Sequence, residues 1–446
     1  MSSTKSNWQK TRKFLNDIHL WLGLISGIIV FVVCLSGTIY VFNTELREMA
    51  APNLYKVQAS DKKLEIEELA HIVKQESKGK VSAVKIPYDA QRSYAFTVRK
   101  KEENESKRKE VNPKSANHTH KQKPEHKAST VEPRNGGGRG RGNQFMVNPY
   151  TGEVLGDLQG TKTTTAEFMQ TMFSLHRWLL LDNVETPIID GLENRKLGSY
   201  ISGTATILFT IGVITGMIIW IPARARAWRQ GLRVKTSGSW KRTNHDLHNT
   251  LGFYSCILLF LMGITGPQWS FEWYREGLRK TLGTYQRADV KKPEEPKSTI
   301  PYAEAKSLPI AELIAIADKE LVYKGDYSIN FASDSAATIS ITKNKIGFFA
   351  SAAGDKLIVD QYSGEVLAKE IFSEKPLNER ISGSIKALHI GDIYGMFSKI
   401  LYFLACLIAT SLPVTGILIW INKMKKPVKN AKSSKNLLQE KISAEN

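Results

Sequence analysis

Four stretches of this chain hold no Asp, Glu, Lys or Arg: residues 20–42, 198–223, 249–271 and 400–421. Each has 22 to 26 residues, against the roughly 20 that a helix needs to cross a hydrocarbon core. Backbone polar groups in lipid must be satisfied within their own segment, so the four runs read as membrane-spanning helices. This excludes a soluble globular fold, although the mean hydropathy of −0.26 resembles one. That mean averages apolar spans with two long polar segments, 43–197 and 272–399. The first run is too long for a signal peptide's apolar core and no small-x-small site follows it. It is expected to be an uncleaved anchor.

The net charge of +19 would ordinarily suggest a nucleic-acid partner. Its placement argues otherwise. The tail before the first span carries Lys5, Lys10, Arg12 and Lys13 against Asp17. The segment between spans two and three carries Arg224, Arg226, Arg229, Arg233, Lys235, Lys241 and Arg242 with no acid. The tail after span four carries seven Lys against Glu440 and Glu445. Together these segments supply 15 of the 19 surplus charges. With alternating spans they share one side, which the positive-inside rule makes the cytoplasm. No nucleic-acid partner is expected. The location expected is a bacterial inner membrane, with both termini cytoplasmic and two large loops in the periplasm.

The expected fold class is membrane α-helical, with four transmembrane helices in a duplicated span–domain–span arrangement and two extracytoplasmic α+β domains. The units are 1–42 (tail and first span), 43–197 (first domain), 198–222 (second span), 223–248 (basic loop), 249–271 (third span), 272–399 (second domain), 400–421 (fourth span) and 422–446 (basic tail). In the first domain the periodicity predicts a helix over 64–76 and strands over 81–86 and 93–99. In the second it predicts a helix over 310–321 and strands over 327–331, 337–342 and 357–360. A surface helix over 165–181 is expected to carry His176. Residues 99–143 are rich in Lys, Glu, His and Gly and poor in large apolar residues, which predicts a disordered insertion. Its glycine run lacks the strand-to-helix setting and GK[S/T] ending of a phosphate loop.

Internal repetition carries the duplication. Residues 18–38 laid on 247–267 match at seven of 21 positions, pairing His19 with His248, Gly23 with Gly252 and Gly37 with Gly266. Residues 204–221 laid on 404–421 match at seven of 18, ending TGMIIWI against TGILIWI. VNPYTGEVL at 147–155 matches VDQYSGEVL at 359–367 at six of nine, and Leu175-His176 pairs with Leu388-His389. All four matches run in the same order. Repeats of like orientation predict a pseudo-two-fold axis along the membrane normal.

Four histidines therefore occupy equivalent positions near span ends. The axis would bring His19 to His248 at the cytoplasmic end and His176 to His389 at the outer end. A lone interfacial His is commonly a snorkelling polar residue. Two facing imidazoles in a helix bundle can instead be axial ligands of a haem iron. Gly23 and Gly252, one turn after His19 and His248, would let a flat macrocycle approach the backbone. His245 is a rival ligand to His248, and Asp17 and Asp392 are candidate partners for ring nitrogens. The three cysteines, Cys34, Cys256 and Cys406, lie within spans and form no CxxC or CxxCH. This gives neither a disulfide framework, nor a thiolate zinc site, nor a covalent haem attachment. His118, His120 and His126 in the insertion read as incidental residues of a solvated tail.

IHLWLGLISG at span one, LHRWLLL before span two, DLHNTLGF at span three, LHIGDIYG before span four and the two TGxxIWI ends resemble the PepSY-associated transmembrane family. VNPYTGEVL and VDQYSGEVL resemble the closing strand and turn of PepSY domains. The resemblance covers the chain apart from its termini and the insertion, whose role the family does not explain. It implies an inner-membrane protein of iron acquisition and an enzyme, an oxidoreductase of ferric-siderophore reductase type. It implies two haem b groups held through His19, His176, His248 and His389. Fe(III) in a periplasmic siderophore would be reduced so that Fe(II) is released. No nucleotide or flavin domain is visible, so a separate donor is expected: a quinol, a flavin or a reductase protein. The rival readings are a PepSY binding or regulatory module without redox activity, and a component of a siderophore or iron transporter.

Overall fold

Helices form wherever the charge-free runs lie, and each extends past its run into polar sequence. In the computed structural model, which describes residues 7–99, 142–222, 228–287, 290, 294–302 and 305–425, the spans are Asn7–Tyr40, Asn194–Trp220, Trp240–Thr265 and Gly395–Met424. All four are long and apolar enough to cross a membrane, so the chain is a multi-pass membrane protein. The third span tightens into a turn over Pro267–Trp269, where proline has no N–H to continue the helix. Most of the insertion, with His118, His120 and His126, lies outside the described residues.

Span one packs on spans two and four, and span three packs on the same two. Spans one and three thus stand diagonally across a four-helix ring. Its centre holds Leu259, Ala405 and Ala409, and the small alanines permit close helix approach where lipid supplies no hydrophobic drive. Trp21, Ile25, Ile28, Ile257 and Leu407 point outward and are exposed, as a lipid-facing surface requires.

The two polar segments contribute four strands each to one antiparallel sheet. The strands are β1 Lys80–Ile86, β2 Tyr94–Arg99, β3 Asn143–Val147, β4 Val154–Asp157, β5 Gly325–Asn330, β6 Ile339–Lys345, β7 Asp355–Val359 and β8 Val366–Glu370. Their order is β4-β3-β2-β1-β5-β6-β7-β8, which reads the same outward on both sides of the β1–β5 seam. At that seam Val84 faces Ile329 and Ile86 faces Tyr327. The helices Ile66–Ser77 and Ile310–Glu320 cover one face, burying Leu69, Val73, Leu313 and Ala317 against Val84, Phe96, Ile329 and Ile341. Alternating burial in β5, β6 and β7 shows why these residues make half-covered strands. A second tie crosses the seam where the Ile310 amide donates to Glu67 Oε1 at 2.6 Å.

The two closing motifs are equivalent hairpins. In VNPYTGEVL the Gly152 amide donates to the Asn148 carbonyl, and in VDQYSGEVL the Gly364 amide donates to that of Asp360. Gly152 and Gly364 have φ of 76° and 74°, a left-handed conformation that favours glycine. The insertion leaves the sheet between paired residues, since Val98 is opposite Asn143. It therefore occupies the β2–β3 connection, which corresponds to the short β6–β7 connection in the other half.

Candidate functional site

The diagonal placement of spans one and three brings His19 to His248, with ring centroids 6.2 Å apart. At the sheet-side end His176 meets His389, again at 6.2 Å. The second meeting did not follow from chain distance, because His176 lies much farther ahead of Thr215-Gly216 than His389 lies ahead of Thr415-Gly416. Local structure absorbs the difference. The helix Thr164–Trp178 starts with the Thr163 side chain accepting from the Ala166 amide and ends with Leu179 and Leu180 both at positive φ. It packs against spans one and two instead of lying on the surface. His389 sits on the short helix Ile385–Ile390, turned by Gly391 into span four.

Each ring is fixed through Nδ1 by a neighbouring span. His19 Nδ1 lies 3.0 Å from the Gly212 carbonyl and 3.2 Å from Thr215 Oγ1. His248 Nδ1 lies 2.9 Å from Thr415 Oγ1. His176 Nδ1 is 2.8 Å from the Val33 carbonyl. His389 Nδ1 is 3.1 Å from the Met262 carbonyl and 3.0 Å from Thr265 Oγ1. A carbonyl only accepts, so these Nδ1 atoms carry the proton. Thr415 donates its own hydroxyl hydrogen back to its helix, so His248 donates as well. In the neutral ring of that tautomer, Nε2 carries the lone pair.

Glycines make room for the rings. A Cβ on Gly37 would lie 3.1 Å from His176, and one on Gly266 would lie 3.3 Å from His389. On Gly216 it would lie 3.1 Å from His19, and on Gly416 it would lie 3.4 Å from His248. Sequence reasoning treated these Thr-Gly pairs and glycines as markers of repetition and missed their use. Their signal was present, because each recurs at an equivalent place in both halves, as the histidine it touches does.

The rival and the expected partners fall outside the pairs. His245 is exposed, hydrogen-bonded to Asn249 and 3.6 Å from Asp246. The Nδ1 partners are carbonyls and threonine hydroxyls, whereas Asp17 and Asp392 were expected. Asp392 instead lies 3.8 Å from Lys399.

His19 and His248 line a cavity of about 280 Å³, as do Gly23, Gly252 and Cys256. Gly23 faces open space, and Gly252 only Leu412 at 3.8 Å. Asn16, Trp220, Asn249 and Lys423 also border a wider cavity of about 550 Å³, where Arg12 and Lys13 stand. At the sheet-side end burial lowers His176 below the usual range. Burial and the neighbouring His176 push His389 down to about 3. Both are neutral imidazoles near pH 7.

A family profile, the PepSY-associated TM region, matches residues 17–423. The chain belongs to the PepSY-associated TM family. The match includes all four paired histidines and both halves of the sheet. No curated protein matches the chain.

One expectation is corrected for this PepSY-associated protein. The four histidines were expected to hold two haem b groups. Among the described residues no group of three or more His, Cys, Asp or Glu side chains could hold a metal ion. Each pair stops at two imidazoles, with neither a carboxylate nor a thiolate joining it. What the pairs offer chemically is four imidazoles, two at each end of the four-helix bundle.

Proposed function

We propose that this PepSY-associated protein is an inner-membrane oxidoreductase of the ferric-chelate reductase type. It accepts electrons on the cytoplasmic side from a separate donor, a quinol, flavin or reductase. It reduces Fe(III) in a siderophore on the periplasmic side, where the weaker-held Fe(II) is released. The sheet faces the periplasm and both termini face the cytoplasm, an orientation supported by the basic segments at the opposite end. The span–domain–span halves are read as a duplication, supported by the matching contacts of the two.

The observation that carries the reading is the pair of histidine centres, one at each end of the bundle. Span one carries His19 near one end and Val33, the anchor of His176, near the other. Span three likewise carries His248 and Met262, the anchor of His389. On both helices these positions are about four turns apart, which sets the centres about 21 Å from each other. That distance is about two thirds of the roughly 30 Å depth of a hydrocarbon core. A binding module would need no such second centre at the far end. No electron-carrying group is assigned to the pairs.

The test uses membrane vesicles of defined orientation from cells producing the chain, with an Fe(II)-trapping dye beside the ferric siderophore. Fe(II) should form only when the chelate is on the sheet side. His19→Ala and His389→Ala should each abolish it, and His245→Ala should leave it unchanged. Chelate reduction no faster than in vesicles lacking the chain would overturn the reading.

A further inference from the structure

Beside the sheet-side histidines lies a group of cations. Arg177 follows His176 in the chain and donates from Nη2 to the Trp269 carbonyl at 3.3 Å. Its guanidinium lies 5.6 Å from the Trp178 ring centre, and that of Arg195 lies 4.0 Å from the same ring. Lys196 stands 6.0 Å from the Tyr200 ring. Among the described residues no carboxylate is paired with Arg177, Arg195 or Lys196. Two guanidiniums on one indole repel each other, and the charge of Arg195 lowers the pKa of Arg177 in addition to its burial. Such a cluster is relieved by an anion.

Exposed aromatic surface adjoins it. Trp269 is 37% exposed and Trp273 65%. The Trp269 ring meets His389 edge-on at 4.9 Å, while its carbonyl is held by Arg177. One residue thus links the cationic cluster to the sheet-side histidine pair. A lipid phosphate would satisfy the arginines. It would not use the Trp269 indole that adjoins His389.

We propose that Arg177, Arg195 and Trp269 form the docking site for the ferric chelate, and that the site selects anionic, aromatic chelates of the catecholate class over neutral or cationic hydroxamates. The cations supply attraction to a multiply charged anion. The indoles supply stacking surface for its flat rings. This rests on the ferric-chelate reading above, and binding can be separated from reduction.

The test uses the full chain in phosphatidylcholine nanodiscs, titrated calorimetrically with gallium(III) tris-catecholate. Gallium(III) has the charge of ferric iron and is not reduced, so binding is read alone. The gallium catecholate should bind at least about tenfold more tightly than a gallium tris-hydroxamate and weaken as salt is raised. Arg195→Gln and Arg177→Gln should each weaken it about tenfold. Arg177→Lys should recover part of the loss, and Trp269→Leu should weaken the catecholate while leaving the hydroxamate unchanged. Arg195 is exposed, so its variant should fold even where the Arg177 variants do not. Equal binding of the two chelates, or unchanged binding by Arg195→Gln, overturns the proposal. So does loss of chelate binding to added phosphatidylglycerol that itself binds through Arg177 and Arg195, because the surface is then a headgroup site. Arginine-dependent binding without reduction of the ferric counterpart supports the docking site and removes the reductase reading.

Discussion

The sheet-side histidine pair depends on how closely the helix bearing His176 approaches span two, and Gly198 sets that approach. A Cβ at Gly198 would lie 2.0 Å from the Trp178 carbonyl oxygen, 2.7 Å from its carbon and 2.9 Å from its Cα. These are backbone atoms and have no rotamer to escape into. Carbon–carbon contacts rest at about 3.5–4.0 Å, so Gly198→Ala must part the two helices by roughly 1 Å. The bond from Ser202 Oγ to the Arg177 carbonyl, 2.9 Å long, lies in the same contact and is stretched with it. Overpacking of this kind costs about 1–3 kcal/mol. Gly212 on the same helix provides the control, because a Cβ there meets nothing within 4 Å. Gly212→Ala should gain the roughly 0.5–1 kcal/mol by which alanine exceeds glycine in a helix. The two variants should therefore lie on opposite sides of the parent and differ by about 1.5–4 kcal/mol. The assay is thermal unfolding of the purified chain in one detergent, followed by the fluorescence of buried Trp178 and its neighbours. If Gly198→Ala melts together with Gly212→Ala, the close approach does not exist and the placement of His176 is wrong.

Thr215→Val and Thr415→Val keep side-chain shape and remove a hydroxyl from His19 and His248; each should cost about 1 kcal/mol in the same unfolding assay. The sheet-side pair should make stability fall in acid. His176 and His389 are held below the value of about 6.5 expected unfolded. Protons are then taken up first by the unfolded chain, so stability present above about pH 6.5 is lost as pH falls, for His389 down to about 3. The slope is about 1.4 kcal/mol per pH unit for each histidine, and acid titration of His389→Gln should show a shallower limb. Glu67→Ala removes the acceptor at the start of the Ile310–Glu320 helix across the seam. Hydrogen exchange at the Ile310 amide should quicken by about tenfold, with β3 and β7 unchanged.

The spans were legible because burying a charge in hydrocarbon is so costly that its absence over a whole membrane depth has few other meanings. The histidine pairs were legible because the sequence matches set His19 beside His248 and His176 beside His389 in the alignment, and in the fold each pair meets. Sequence proximity misled at Asp17. Residues two apart on a helix do not face each other, so its nearness to His19 said nothing about contact. The same reasoning favoured His248 over His245 only through symmetry, and the structure supplied the direction of each side chain. The seam was not legible. Sequence alternation shows which residues make a strand, but β1 and β5 lie in different halves of the chain and neither names its partner. β8 was missed because Val366–Glu370 mixes half-covered and exposed positions, which leaves no clean period. The Thr163 cap and the left-handed Leu179-Leu180 turn displaced the expected ends of the His176 helix, since a local bond decides where a helix stops.

The β1–β5 ladder and the Glu67–Ile310 bond also bear on how the molecule can move. Parallel repeats in transporters rock against each other so that a central site opens first to one side and then to the other. Here the halves are riveted together at one end by a continuous sheet. Tilting one half would shear four paired rungs from Ala83–Asn330 to Ile86–Tyr327 and open the core between the two covering helices. The sheet acts as a crossbeam over the bundle. A frame braced in this way holds the two histidine pairs at a fixed spacing.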